Sequence, residues 1–164
     1  MTALSVSWAS RNDVDTVSMI LREAGDWLRA RSMPLWEDEE LRPARLLPSR
    51  ARHRYCLARR GEDAVGTARV QWADEQIWPE ATSGEAVYVH RIAVRRVAAR
   101  TGVPKALLDF AGEAARIRGA SHLRLDCDAS RTRLCELYSS LGFHHHSDLQ
   151  IGTFGVRRFE RPVS

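Results

Sequence analysis

The sequence predicts an α/β layer fold with a mixed sheet, on three observations. Apolar residues alternate at a period near two in some segments and near 3.6 in others, so strands and helices share one chain. A strand, a helix and a strand follow one another over residues 86–127, which calls for parallel neighbours joined by a right-handed crossover. Two apolar runs flank Gly61-Glu62-Asp63, a turn sequence that makes them an antiparallel hairpin and the sheet mixed.

The elements follow in order. Leu4–Trp8 alternates and reads as a first strand. Ser10 is a good N-cap and Asp13, three residues on, suits a helix start. Val14, Val17, Leu21, Ala24 and Leu28 then recur on one helical face, with Pro34 limiting extension. Glu37–Leu47 suggests a second, shorter helix interrupted at Pro43. Arg54–Arg59 and Ala64–Val70 are the hairpin strands, and Trp72–Glu85 is loop-like. Ala86–Val94 is a strand rich in β-branched residues. Val103–Arg118 is a helix with Ala106, Leu107, Phe110, Ala114 and Ile117 on one side, closed by Gly119. His122–Cys127 is a strand, Arg131–Leu141 a helix, and Phe143–His146 and Val156–Glu160 are closing strands. Seven strands result, and in such folds ligands bind beyond the C-terminal ends of parallel strands.

The 164 residues suit one domain spanning 1–164. With 44% hydrophobic and 28% charged residues the chain can bury a core. No apolar run reaches the roughly 18 residues of a membrane helix, and Met1–Arg11 lacks a signal-peptide pattern. Cys56, Cys127 and Cys135 have no metal-type spacing, which suggests a reduced, cytoplasmic chain. Lys105 is the only lysine, so the net charge of +4 is carried by arginine, whose guanidinium pairs well with phosphate. Arg42, Arg45, Arg50, Arg52, His53 and Arg54 form a basic stretch, normally a solvated face and alternatively a nucleic-acid contact. His144-His145-His146 puts at most two imidazoles on one side of a strand and no third ligand is evident, so no metal is expected. Trp36 and Trp72, near loops, are candidates for an acceptor pocket.

The segment VYVHRIAVRRVAARTGVPKALLDFAGEAARIRGASHLRLDCDASRTRLCELYSSLGF, residues 87–143, resembles the core half of the GNAT N-acetyltransferase superfamily. The softer matches WLRARSMPLW and FGVRRFERP lie on either side. The resemblance implies a mixed, mostly antiparallel central sheet of about seven strands flanked by helices. Strand 86–94 would carry a bulge and splay from its parallel neighbour, strand 122–127. It also implies acetyl-CoA or another acyl-CoA as donor, a small-molecule amine as acceptor, and homodimers in some members. The pantetheine arm would bond to main-chain groups at Ile92, Ala93 and Val94. The pyrophosphate would sit on the loop holding Arg100, Thr101, Gly102, Val103 and Lys105, where a helix start offers free N–H groups, with Arg131 at the next helix. Tyr138 matches the tyrosine that protonates the departing thiolate. For the base, His90 is the first candidate because imidazole titrates near neutrality; a hydrogen-bonded strand histidine is the plain alternative, and Glu85 and Asp126 are the other carboxylate candidates.

The donor loop departs from the family pattern. Of its glycines only Gly102 is kept; Arg100 stands where glycine is common, and Pro104 has no N–H to offer. Two further readings stay open on this loop: an aminoacyl-tRNA as donor, in a setting of bacterial specialised metabolism, and a non-catalytic binding module.

Overall fold

The structure is a computed structural model that describes residues 2–47 and 52–164. Arg50 of the basic stretch lies outside the described residues. The strands are β1 (Leu4–Trp8), β2 (His53–Arg60), β3 (Asp63–Gln71), β4 (Ala86–Val94), β5 (His122–Asp128), β6 (His144–Ile151) and β7 (Phe154–Pro162). The helices are α1 (Val14–Arg29), α2 (Val103–Ile117) and α3 (Thr132–Ser140). The seven strands form a mixed sheet in the order β1-β2-β3-β4-β5-β7-β6, as the alternation and the family resemblance lead one to expect.

The chain divides into two compact units, 1–70 with 91–110, and 71–90 with 111–164. In the first unit a capping box closes the 3₁₀ turn Arg11–Asp13 that leads into α1. Ser10 N–H donates to Asp13 Oδ2 at 2.7 Å, and Asn12 N–H donates to Ser10 Oγ at 3.2 Å. The apolar face of α1 buries Val14, Val17, Ile20 and Leu21 in one cluster with Leu41, Leu46, Tyr55 and Leu57. Fully burying each such side chain contributes roughly 1.5–3 kcal/mol. The expected helix over Glu37–Leu47 is replaced by two short 3₁₀ turns, Asp38–Leu41 and Pro43–Arg45. Arg42, preceding Pro43, is forced to an extended ψ of 144°, which breaks the helical path. The buried Ser18 Oγ donates to Leu41 O at 2.6 Å and fastens this segment to α1. Gly66 of β3 lets α2 approach: a Cβ there would stand 2.6 Å from Val103 Cγ1 and 3.1 Å from Ala93 O.

In the second unit β5, β7 and β6 are antiparallel, with an irregularity between His145 and Ser147. The final hairpin is longer than the sequence suggests: β6 continues to Ile151 and β7 starts at Phe154. Alternate exposure along β6 shows an edge strand whose apolar signal is weak. The segment 72–85, expected as loop, is a fixed structure without strand or helix. Trp78 is buried to 2% exposure, and the guanidiniums of Arg124 and Arg158 lie over its ring at 4.5 and 4.7 Å. Arg124 is in turn paired with Glu85 at 2.7 Å and Glu160 at 2.9 Å. Arg158 reaches Glu80 at 2.7 Å and Ile77 O at 2.9 Å.

The β4–β5 ladder is parallel and pairs Ala86, Val87 and Tyr88 with His122, Leu123 and Arg124. Val89 and His90 follow outside that ladder. One residue later Arg91 takes φ +52°, a left-handed conformation inside a strand, so the pleat is interrupted there.

Candidate active site

In the first unit, β4 leaves its irregularity at Arg91 and runs through Ile92, Ala93 and Val94 into a loop. Ala93 is buried while Ile92 and Val94 are half-buried. Arg91 is held by Glu40 at 2.6 Å and by the Tyr55 hydroxyl at 3.1 Å. The loop opens with Arg95, whose Nε meets Glu23 at 3.1 Å. Arg96 stacks over Trp27 at 4.3 Å. A 3₁₀ turn at Arg96–Ala98 follows, and Thr101 Oγ1 closes it by donating to Ala98 O at 2.6 Å. Arg60 Nη2 donates to Thr101 O at 2.6 Å. Arg100 at φ +61° and Gly102 at φ +84° turn the chain into α2. Arg100, Thr101, Gly102 and Lys105 are exposed, and nothing lies within 4 Å of a Cβ at Gly102. Ala106 N–H makes the first helical bond, to Gly102 O at 3.1 Å. By helix geometry the N–H groups of Gly102, Val103 and Lys105 precede the reach of that ladder, and Pro104 has none. Lys105 is drawn to Asp109 at 2.6 Å.

In the second unit three titratable side chains converge. His90 Nε2 lies 2.7 Å from Asp74 Oδ2, and His90 Nδ1 lies 3.5 Å from Asp126 Oδ1. The side chain of Asp74 is 5% exposed, and its other oxygen accepts from Ile77 N–H at 3.1 Å. That turn is what aims Asp74 at His90. The 3.5 Å separation is an electrostatic contact without a hydrogen bond, and Asp126 Oδ1 is buried with no hydrogen-bond partner among the described residues. Burial holds the Asp126 carboxyl above the usual carboxylate range; His90 and Arg158 oppose this and Asp74 adds to it. The ligand-type atoms of these three residues lie within 4.8 Å of one another. A metal ion would need its ligands about 2.0–2.2 Å from itself, which separates them by more than 3 Å. The 2.7 Å contact of His90 with Asp74 is instead the length of a hydrogen bond to a carboxylate.

Tyr138, on α3, is buried, its ring 6.3 Å from Phe143 and 5.9 Å from Phe159. Burial, with Cys127 and Asp126 nearby, pushes its phenol above the usual value. Arg131 is half-buried before α3, and its carbonyl accepts from Leu134 and Cys135 at 3.1 Å. All three cysteines are free and buried, with Cys127 Sγ and Cys135 Sγ 3.5 Å apart.

The structure therefore brings His90 together with Asp126 and with Asp74, which the sequence reading missed. Only the fold of 72–85 reveals Asp74, because its spacing from His90 has no helical or strand meaning. Glu85 is occupied by Arg124, which holds its carboxyl below the usual range, so it is not a partner of His90. Trp36 packs beside Gly25 and Trp72 under the Arg118 guanidinium at 4.0 Å. His145 pairs with Asp148 and His146 lies edge-on to Trp78.

A mixed seven-stranded sheet, an interrupted β4 and a short parallel β4–β5 ladder are the fold features on which the comparisons bear. The Acetyltransferase (GNAT) family model matches residues 21–143, and the chain belongs to that family of transferases. Uncharacterized N-acetyltransferase YesJ of Bacillus subtilis (strain 168) is 22% identical over 161 residues, covering 93% of this chain and 86% of the relative. The GNAT-family acetyltransferase of Listeria monocytogenes 4b F2365 has a TM-score of 0.77 at 18% identity, over 97% of this chain and 94% of its own. The yncA protein of Salmonella typhimurium, solved with its cofactor acetyl-CoA, has a TM-score of 0.68 at 16% identity, over 99% and 95%. At these identities the structural likeness is one of fold.

Proposed function

We propose that this protein transfers the acetyl group of acetyl-CoA to the amine nitrogen of a small-molecule acceptor. The observation that carries the reading is the chain Asp74–His90–Asp126, with contacts of 2.7 and 3.5 Å. Amide formation at neutral pH must relieve an ammonium of its protons, and a half-buried imidazole flanked by carboxylates is suited to that work. Acetyl-CoA supplies an activated thioester carbonyl. The exposed loop 100–105 fits its phosphates: Gly102 leaves its surface open, the helix start directs N–H groups outward, and Lys105 adds a cation. Ile92, Ala93 and Val94 offer main-chain groups to the pantetheine arm, and Arg131 adds positive charge. Tyr138 serves as proton donor to the thiolate, the role its match to the family tyrosine implies. Holding amine and thioester together supplies the rest, about 7 kcal/mol or more in favourable cases. The free thiols suit a reducing cytoplasm.

Titration calorimetry with acetyl-CoA and with CoA, followed by a CoA-release assay over a panel of amines, tests the reading. Micromolar binding and amine-dependent release of thiol are expected. Absence of CoA binding, together with tRNA binding that weakens steeply with salt, would overturn it in favour of a charged-tRNA donor.

A further inference from the structure

We propose that Cys127 and Cys135 form a redox modification site, at which a hydroperoxide converts the two thiols into a reversible disulfide. Cys127 Sγ, near the end of β5, lies 3.5 Å from Cys135 Sγ in α3, and both residues are buried. Bonded sulfurs stand about 2.05 Å apart, so closure asks for a movement of about 1.5 Å.

The local structure fixes one thiol and lets the other approach. Cys127 is held in the antiparallel ladder, opposite Arg157 of β7. Beyond β5 the Asp128 carboxylate accepts from the Ser130 N–H at 2.8 Å and from its hydroxyl at 2.7 Å, a turn that brings the chain back toward α3. That helix starts without a side-chain cap, and Cys135 N–H bonds to Arg131 O at 3.1 Å in its first turn. An uncapped first turn is loosely held, so Cys135 can close on Cys127 while the sheet stays intact.

The surroundings assign the order of reaction. Arg157 faces Cys135 in addition to its ion pair with Asp148 at 3.0 Å. A guanidinium favours the thiolate, which is the nucleophilic form. Burial holds the Cys127 thiol well above its ordinary value; Cys135 and Asp126 add to this and Arg131 opposes it. Tyr138 is the further titratable neighbour of both. Cys135 therefore meets the oxidant and Cys127 resolves the product. Cys56 is the contrast within the chain. It is 0% exposed against 8% for each member of the pair, and its Sγ donates to Ala68 O at 3.6 Å.

The Cys135 thiolate attacks one oxygen of the hydroperoxide and the O–O bond breaks. The other oxygen leaves as an alcohol (as water, from hydrogen peroxide) with the proton the thiol gave up, and Cys135 becomes a sulfenic acid. Cys127 Sγ attacks that sulfur, the S–O bond breaks, and the hydroxyl departs as water with the Cys127 proton. Two thiols and one hydroperoxide become one disulfide, one alcohol and one water, with two electrons passing from sulfur to oxygen. An external dithiol reverses the change by exchange. Cys135 and Tyr138 are both buried on α3 and lie one turn apart, so drawing in the first displaces the second. On the acetyl-transfer reading above, in which Tyr138 protonates the departing thiolate, the oxidised protein turns over more slowly.

The test treats the purified full chain with near-stoichiometric hydrogen peroxide, alkylates the remaining thiols in denaturant, and maps tryptic peptides by mass spectrometry. Cleavage after Arg124, Arg131 and Arg133 places the two cysteines on separate peptides, LDCDASR and one beginning LCEL, which the disulfide joins. The expected result is that linked pair, released by dithiothreitol, with Cys56 alkylated throughout. Cys127→Ser should leave a Cys135 sulfenic acid that dimedone traps, and Cys56→Ser should form the linked pair as wild type does. In wild type, kcat for amine acetylation should fall by about tenfold or more on oxidation and return with the dithiol. A wild type that yields no linked pair, or yields it only when oxidised in urea, overturns the proposal. A linked pair with unchanged kcat overturns the displacement of Tyr138. A reduced protein that acetylates no amine, yet forms the linked pair with peroxide, sinks the acetyl-transfer reading and supports the modification site.

Discussion

Arg100 is a non-glycine residue held at φ +61° in the exposed turn before α2. An L-residue in this conformation costs roughly 1–2 kcal/mol, and nothing else in the turn requires its side chain. Arg100→Gly is expected to raise stability by about 1 kcal/mol, or about 2–4 °C in Tm, by thermal denaturation. It should also lower the KM for acetyl-CoA by clearing the approach to the loop. Asp126 makes the opposite kind of sacrifice. Its carboxyl is raised in the folded chain by burial, so the folded state holds the proton more tightly than the unfolded one. Stability linked to it is full below the ordinary value, about 3.9, and is lost as pH rises through the higher folded value. Asp126→Asn should therefore melt higher than wild type at pH 7, with the gap closing toward pH 4. A variant that melts lower at pH 7 would contradict this.

The entry to α1 is set by two residues. Ser10→Ala removes the acceptor for Asn12 N–H and should cost about 1 kcal/mol, measured by urea denaturation. The Ser10 backbone N–H is also the first cause of the lowered Asp13 carboxyl pKa. That contribution is present above the ordinary carboxylate value and is lost as pH falls through the lowered one. Gly66 shows a different kind of dependence. Its strand and α2 approach so closely that Gly66→Ala puts a methyl 2.6 Å from Val103 Cγ1 and 3.1 Å from the Ala93 carbonyl. The side chain could yield but the backbone oxygen resists, so a loss of about 1–3 kcal/mol is expected from the denaturation midpoint. Because Ala93 belongs to the proposed donor site, the same variant should weaken acetyl-CoA binding.

At the scale of the whole chain the donor is the decisive ligand. Acetyl-CoA at a hundredfold excess over its Kd should stabilise the protein by about 2.7 kcal/mol, read as a rise in Tm that scales with ligand concentration. The net charge of +4 is too modest to predict nucleic-acid binding by itself. No helix among the described residues is long and apolar enough to cross a membrane.

Local chemistry was enough to specify most elements. The face of α1, the turn at Gly61–Asp63, the parallel order of β4 and β5, and the α2 start after Gly102 follow from spacing, from glycine and proline, and from capping, all of which act within a few residues. His90 and Asp126 were named from the sequence as base candidates, the first as an imidazole on the central strand and the second as a carboxylate at a strand end. Three features depended on contacts between distant parts of the chain. The interruption at Pro43 was expected, but that the segment forms only two 3₁₀ turns, fastened to α1 by Ser18 through Leu41 O, was not. The segment 72–85 read as loop, and how that loop is held was not legible because Arg124 and Arg158, which lie over Trp78, are remote in sequence. The partnership of Asp74 with His90 exists only once that segment is folded, since a hydrogen bond depends on distance in space and a sequence records only distance along the chain.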